Sequence, residues 1–306
     1  MDANLEFWRA KGQSFFQRFL LWADALDPFL LLKSSDEIRG ARLLLQNSGK
    51  TLSEPIQNDQ VFWSTSSVQP DTGKIIPVLF RPPGNFSLKL IFVYNLSFLQ
   101  LVFHTYTTGF TLFNGNSTAK TEDYSVQEKQ LFFSLGAISY AACIGAFPLF
   151  FMNRYTLRSS VAQLVVKQLV PAPLFGLMSA FTVAVVRSPE FEDGIEVMDR
   201  NGKVVGVSKK AGEKAVKETA LSRAVLFGSA FFLPPVLTHF MTRTKFAKNP
   251  RSLAVLRMLM MTTVLAGMLP VSLSMFPQCG EIKRADLELE IQSSTAETEL
   301  FYNRGI

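Results

Sequence analysis

At 3.6 residues per turn, Ser97, Gln100, His104, Thr107, Thr108 and Thr111 fall within roughly 60° of one helical direction. The stretch around them, Leu90 to Phe113, holds no Asp, Glu, Lys or Arg. Hydroxyls, an amide and an imidazole on one face of an apolar helix can hydrogen-bond a small polar solute of little net charge. In hydrocarbon such groups cost several kcal/mol unless paired, so the face is expected to point inward. Two readings are open: the face lines a solute path, extended by Asn114 at its end, or it hydrogen-bonds neighbouring helices. His104 and His239 are the only histidines, and with Cys143 they set no metal-ligand spacing. No Ser-His-acid or Cys-His constellation is visible, so neither an enzyme nor a cofactor is expected. Ser48-Gly49-Lys50-Thr51 is discounted as a phosphate loop because Leu44 stands where the motif needs glycine.

Five uncharged stretches, 90–113, 130–153, 168–186, 224–242 and 258–280, are each flanked by charge. Nineteen residues at about 1.5 Å each cross a hydrocarbon core of about 30 Å. The expected fold is an all-α integral membrane protein of about five transmembrane helices. Residues 1–89 form an extramembrane N-terminal region with amphipathic helices, 187–223 a loop between the third and fourth spans, and 281–306 an acidic tail. No Asp, Glu, Lys or Arg lies inside a span, which removes the usual groups of proton-coupled pumps and points to facilitative transport. Prolines 148, 171, 173, 234, 235 and 270 enter four of the five spans, where each removes a backbone donor; bends and solute-binding breaks are both open readings.

The net charge of +6 lies in loops rather than on a soluble patch, which argues for membrane lipid and against nucleic acid. Arg154, Arg158 and Lys167, then Arg243, Lys245, Lys248, Arg251 and Arg257, occupy acid-free loops suited to an anionic lipid surface. Cys143 and Cys279 imply no disulfide framework. The N-terminus lacks a signal-peptide pattern, and its acids argue against a transit peptide, so targeting is expected to be internal. Phe15, Phe16, Phe19, Leu20 and Trp22 make an apolar stripe that could lie on the bilayer, cover the spans, or build a separate small core. Ile195 to Asp199 and Lys203 to Val207, joined by Arg200-Asn201-Gly202, read as a β-hairpin, and Ser208 to Arg223 as a helix. The tail, with Glu288, Glu290, Glu297 and Glu299 near Phe301-Tyr302, reads as a solvated disordered end or a docking peptide.

Several of these residues form a pattern. Gln69-Pro70-Asp71-Thr72-Gly73 precedes the first span. Arg187, Glu190, Gly194-Ile195, Asp199, Gly202, Gly206, Ser208, Ala211, Ala215 and Ser222-Arg223 follow in the hairpin loop. With Trp8, Asp27-Pro28, Pro234-Pro235 and Phe276-Pro277-Gln278, they resemble the sideroflexin family over nearly the whole chain. Phe80-Arg81-Pro82 and the tail Glu297 to Ile306 resemble a divergent branch of it. The resemblance implies a multi-pass protein of the mitochondrial inner membrane that carries amino acids, serine being the best-known substrate of typical members.

The chain departs from that pattern at Gln69, where histidine is usual, and at Lys74, where glutamate is usual. Of an asparagine-rich motif after the first span, Asn114 and Asn116 remain. If those amides contact the substrate, serine specificity is lost. The leading expectation is therefore a facilitative carrier of a small neutral amino acid or related metabolite. The alternative is a non-transporting assembly or scaffold factor for respiratory complexes of the inner membrane. Iron or haem handling would rest on the two histidines alone.

Overall fold

A computed structural model describes residues 3–47, 62–84, 97–116, 132–140, 143, 171–241 and 250–306. Most of the expected second span, all of the acid-free loop after it, residues 243–249 of the loop after the fourth, and the Ser48 to Thr51 stretch lie outside the described residues.

The N-terminal region begins with α1 (Ala3–Lys11) and α2 (Phe15–Ala25). Helix α2 starts at a capping box in which the Ser14 side chain accepts from Gln17 N and the Gln17 side chain accepts from Ser14 N. Asp27 caps a single 3-10 stretch, Pro28–Leu32, and α3 (Ser35–Asn47) follows. Helix α4 (Ser97–Asn114) is the described part of the first span, and a helical segment at 132–140 belongs to the second. Then come α5 (Pro171–Val186), the short α6 (Ser188–Glu192), strands β1 (Ile195–Met198) and β2 (Val204–Ser208), and α7 (Lys209–Met241). Helix α8 (Pro250–Ser274) leads into β3 (Cys279–Lys283), α9 (Leu289–Ser294) and β4 (Glu299–Asn303).

Two helices are long and apolar enough to cross a membrane, α7 and the Val255–Ser274 part of α8, and a shorter apolar helix runs Ala172–Val186. Only 28% and 22% of their most apolar windows are buried, whereas a soluble core helix would hide this surface. Leu221, Phe232, Leu237 and Phe240 of α7 and Val255, Met258 and Leu259 of α8 are exposed, which fits a lipid surrounding. Five spans were expected, and the described residues supply two of full length. Helix boundaries also shift. The Ser208 to Arg223 run and the fourth span fuse into one helix of 33 residues, and the last span ends at Ser274 because Cys279 and Gly280 belong to β3.

Prolines do not break these helices. Pro171 and Pro173 lie at the start of the described part of α5, and α7 and α8 run continuously through Pro234, Pro235 and Pro270. Helices α5 and α7 approach closely: a Cβ on Gly176 would sit 2.9 Å from Ala224 O, and Phe175 stacks on Phe231 at 4.3 Å.

The hairpin forms as expected, with Gly202 at φ 79° and Lys203 N donating to Asp199 Oδ1 across the turn. It is half of an antiparallel sheet ordered β2-β1-β4-β3, so the fold is mostly helical rather than all-α. The tail expected to be disordered or docking supplies the other half. Leu300 and Tyr302 are fully buried with Ile195, Val197, Ala211 and Ala215, under the first turns of α7. The tail's acids are engaged too. Glu288 accepts from Lys209 N and Lys210 N at the start of α7, and Glu297 accepts from Arg200 N.

The N-terminal region does not build a core of its own. Phe7, Trp8, Trp22, Ala25 and Leu26 join Leu226, Phe227 and Ala230 of α7 and Leu265, Leu269 and Leu273 of α8 in one cluster. It covers the flank of the membrane helices.

Gly280 lies where the Tyr302 ring crosses β3, and a Cβ there would collide with that ring. Gly280→Ala is expected to destabilise the protein by about 1–3 kcal/mol, the usual cost of overpacking, read as a lower thermal midpoint in detergent.

Candidate functional site: the inner end of helix α4

The expected solute face of α4 does turn inward. His104, Thr108, Thr111 and Asn114 are all buried, and Thr107 is half-buried. Ser97 and Gln100 lie in the first turns of α4, but their side chains lie outside the described residues. Much of the face bonds to its own helix: Thr107 Oγ1 donates to His104 O at 3.0 Å and Thr111 Oγ1 to Thr107 O at 2.9 Å. Back-bonding of this kind satisfies the hydroxyl proton and leaves oxygen lone pairs facing inward. Thr108 Oγ1 is buried without a hydrogen-bond partner.

A strap from the N-terminal region fixes the outer side of α4. Tyr106 OH donates to Leu79 O at 3.0 Å, and the Phe80 ring stacks on Tyr106 and Phe113. Gly109 permits this, since a Cβ there would meet the Phe80 ring at 2.8 Å. From α7, the guanidinium of Arg223 lies over the Phe110 ring at 5.0 Å.

At the end of α4 four distant segments meet. Asn114 Nδ2 donates to Phe80 O and Phe110 O, and Asn116 donates through its backbone N and its Nδ2 to the two oxygens of Glu190. Glu190 is paired in fork geometry with Arg187, both side chains being 3% exposed or less. Arg187 further donates to Thr219 Oγ1 at 2.8 Å and to Arg304 O at 2.6 Å.

The C-terminal segment threads through this node. Asn116 Nδ2 also donates to Asn303 O at 2.8 Å, Asn303 Nδ2 donates to Asp71 Oδ1 at 2.7 Å, and Ile306 N donates to Asn114 O at 3.0 Å. Gly305, at φ 70°, lets the chain turn where a Cβ would press on Arg187 Nη2. Arg304 is buried and donates to Phe276 O and Leu273 O, while Arg18 Nε donates to Ser274 O. Two arginines from opposite ends of the chain thus cap the C-terminus of α8, where unpaired carbonyls and the helix dipole attract cations. Burial still pulls the Arg304 pKa down to about 10.

The Pro70-Asp71-Thr72-Gly73 motif forms the opposite wall. Gln69 N donates to Lys74 O, Gly73 N donates to Gln69 O with Gly73 at φ 67°, and Thr72 Oγ1 donates to Gln69 Oε1. Gln69 Nε2 then reaches Gly115 O at 2.8 Å. The motif is therefore a shaped turn that presents Asp71 to the C-terminal segment. Between the turn and α2 lies a cavity of about 20 Å³, lined by Trp22, Thr65, Gln69, Asn114, Asn303 and Ile306 among others. That is room for about one water molecule. Trp22 Nε1, Thr65 Oγ1 and Asn114 Oδ1 are buried there without hydrogen-bond partners among the described residues.

Of the expected pathway residues, then, Asn114 alone lines this cavity; His104, Thr108 and Thr111 sit farther along the same helix. Gly194, Asp199 and Gly202 serve the sheet rather than the site: a Cβ on Gly194, at φ 85°, would meet Val207 Cγ1 at 2.8 Å. Among the described residues, no three His, Cys, Asp or Glu side chains gather closely enough to hold a metal ion. Sequence reasoning missed that Asn303 and Arg304 complete the node. The polar–apolar alternation Glu281-Ile282-Lys283, with the apolar run Leu300-Phe301-Tyr302, is the sequence signal that could have revealed the second strand pair.

Comparisons with known proteins place the chain in a family. The family model described as "SFXNs: Sideroflexins" matches residues 4–306. The chain belongs to the sideroflexin family. It is 44% identical to sideroflexin-4 of Danio rerio over the full length of both chains. It is 36% identical to sideroflexin-4 of Homo sapiens over all of this chain and 93% of that one. Human sideroflexin-5 is 29% identical over 97% of this chain and 91% of its own length. No solved structure matches the chain. Within this sideroflexin, the pattern residues Arg187, Glu190 and Asp71 are thus not scattered marks but contacts of one node.

Glu190→Gln is expected to destabilise the protein by about 3–5 kcal/mol, because it leaves the Arg187 guanidinium buried without its counter-charge. The double variant Arg187→Met/Glu190→Leu is expected to recover much of that loss. Thermal midpoints of the three proteins in one detergent check both statements.

Proposed function

We propose that this sideroflexin is a facilitative carrier of a small neutral amino acid or related metabolite in the mitochondrial inner membrane. The observation that carries the reading is the inward, buried row His104, Thr108, Thr111 and Asn114 on an apolar helix. Thr108 Oγ1 and Asn114 Oδ1 have no hydrogen-bond partner among the described residues. A zwitterion without net charge matches such a row, since hydroxyl and amide groups can replace its hydration while no fixed charge traps it. Movement along α4 requires the node at Asn114 to loosen on one side of the membrane. Closed as described, with Ile306 and Asn303 bonded across it, the node corresponds to a sealed end.

A scaffold for respiratory complexes would dock through the extramembrane N-terminal region and the acidic tail. Phe301 and Tyr302, the apolar part of that peptide, are 6% and 0% exposed, so they are not available to a partner. That removes one of the two docking surfaces on which a scaffold would rely.

Uptake of labelled neutral amino acids into proteoliposomes tests the proposal. Gln100→Leu and His104→Leu are each expected to lower the initial rate about tenfold, the equivalent of about 1.4 kcal/mol of lost solute contact. Absence of any amino-acid uptake or exchange by the wild type, under conditions where a typical sideroflexin is active, overturns it.

A further inference from the structure

Helix α2 buries its basic residue, Arg18, and exposes Phe15 and Phe16. Arg18 and Trp22 face the protein, while Phe15, Phe16 and Leu20 are exposed, Phe16 at 67%. At 100° per residue, Phe16, Phe19, Leu20 and Ala23 fall within an arc of about 100°, and Gln17 and Asp24 form a narrow polar flank beside it. The 3-10 turn that follows continues the apolar surface, with Phe29 at 74% and Leu32 at 79% exposure. A helix apolar on both its inner and outer faces needs two apolar neighbours. The inner one is the cluster with α7 and α8.

The depth of α2 indicates the outer one. Arg18 Nε donates to Ser274 O at the last turn of α8, and Trp22, Ala25 and Leu26 share a cluster that reaches back to Leu265. Nine residues of continuous helix separate Leu265 from Ser274. At about 1.5 Å per residue that is about 13 Å, close to half of a hydrocarbon core about 30 Å thick. Beside that cluster α7 exposes Leu221 and Phe232, an apolar surface that the outer face of α2 extends, while the exposed residues of α8, Val255, Met258 and Leu259, lie farther along it.

We propose that α2 and the turn after it are an interfacial element whose outer face, Phe16, Phe19, Leu20, Phe29 and Leu32, rests on the acyl chains of one leaflet. The region before the first span is then a membrane-embedded collar and not an extramembrane cap. Its occupant is lipid: the face carries no ion pair or hydrogen-bonding group for a protein partner, and its polar flank is confined to one side, as at a headgroup boundary. The proposal does not depend on the carrier reading, since a non-transporting sideroflexin would seat α2 in the same way.

Full-length protein in phosphatidylcholine vesicles tests it. Nitroxide labels at Phe16→Cys, Leu20→Cys and Phe29→Cys, in a Cys143→Ser background, are compared with one at Glu290→Cys, an exposed position on α9. Collision with dissolved oxygen relative to an aqueous nickel chelate is expected to be at least several-fold higher at the three α2-region sites. Chelate access equal to that at position 290 overturns the proposal, as does exclusion of both reagents, which would mean cover by a second copy or another protein. The unlabelled wild type gives an independent reading. In vesicles carrying a phospholipid with a diazirine in its acyl chain, photo-adducts are expected on residues 15–32, and their absence there, with adducts present on α7 and α8, is the contrary result.

Discussion

A carboxylate and a guanidinium removed from water must satisfy each other and every remaining donor, or the fold that buries them cannot form. The Arg187–Glu190 pair meets that condition only because three other parts of the chain converge on it. Asn116, from the end of α4, supplies donors to both oxygens of Glu190; Thr219 of α7 and the Arg304 carbonyl accept from Arg187. Each contributor is held by its own element, so the pair acts as the junction between the membrane helices and the sheet. Short α6 exists to place it: Pro189 starts the turn, and Gly212 lets α7 pass against the Glu190 carbonyl where a Cβ would collide.

The same junction couples the two ends of the chain. Arg18 and Arg304 cap α8 side by side, one from the collar and one from the C-terminal strand. The collar in turn packs on α7 and α8 through Trp8 and Trp22, whose rings lie 4.7 Å apart. Helix α7 links these regions mechanically. Its first turns lie under the sheet, its middle carries Arg223 to the Phe110 ring of α4, and its remainder is the long apolar span. A displacement of the C-terminal strand would therefore be felt at Asn114, where the polar row of α4 ends.

Much of this was legible along the chain. Charge-free windows marked α5, α7 and α8, because desolvating a charge in lipid is costly enough to exclude it for nineteen residues at a time. Asn201-Gly202 marked the hairpin, since glycine is needed at positive φ. The buried direction of α4 followed from the spacing of His104, Thr108 and Thr111. The tail was misread because acidic composition says how a segment prefers to be solvated and nothing about which strand edge is vacant beside it. Glu297 and Glu299 do face outward, near Arg200, while Leu300, Phe301 and Tyr302 beyond them are buried.

Local chemistry by itself therefore determined the apolar helices, the polar row on the first of them, the hairpin turn and the family pattern. These depend on neighbours within one or two turns or on the solvent around a single segment. Tertiary structure alone decided that the tail completes the sheet, that Asp71, Asn116, Glu190 and Asn303 share one network, and that the N-terminal phenylalanines face outward. Those contacts join residues separated by up to 232 positions, as Asn303 and Asp71 are. At that distance a residue's type constrains what partner it needs, and only the folded chain decides which partner it meets.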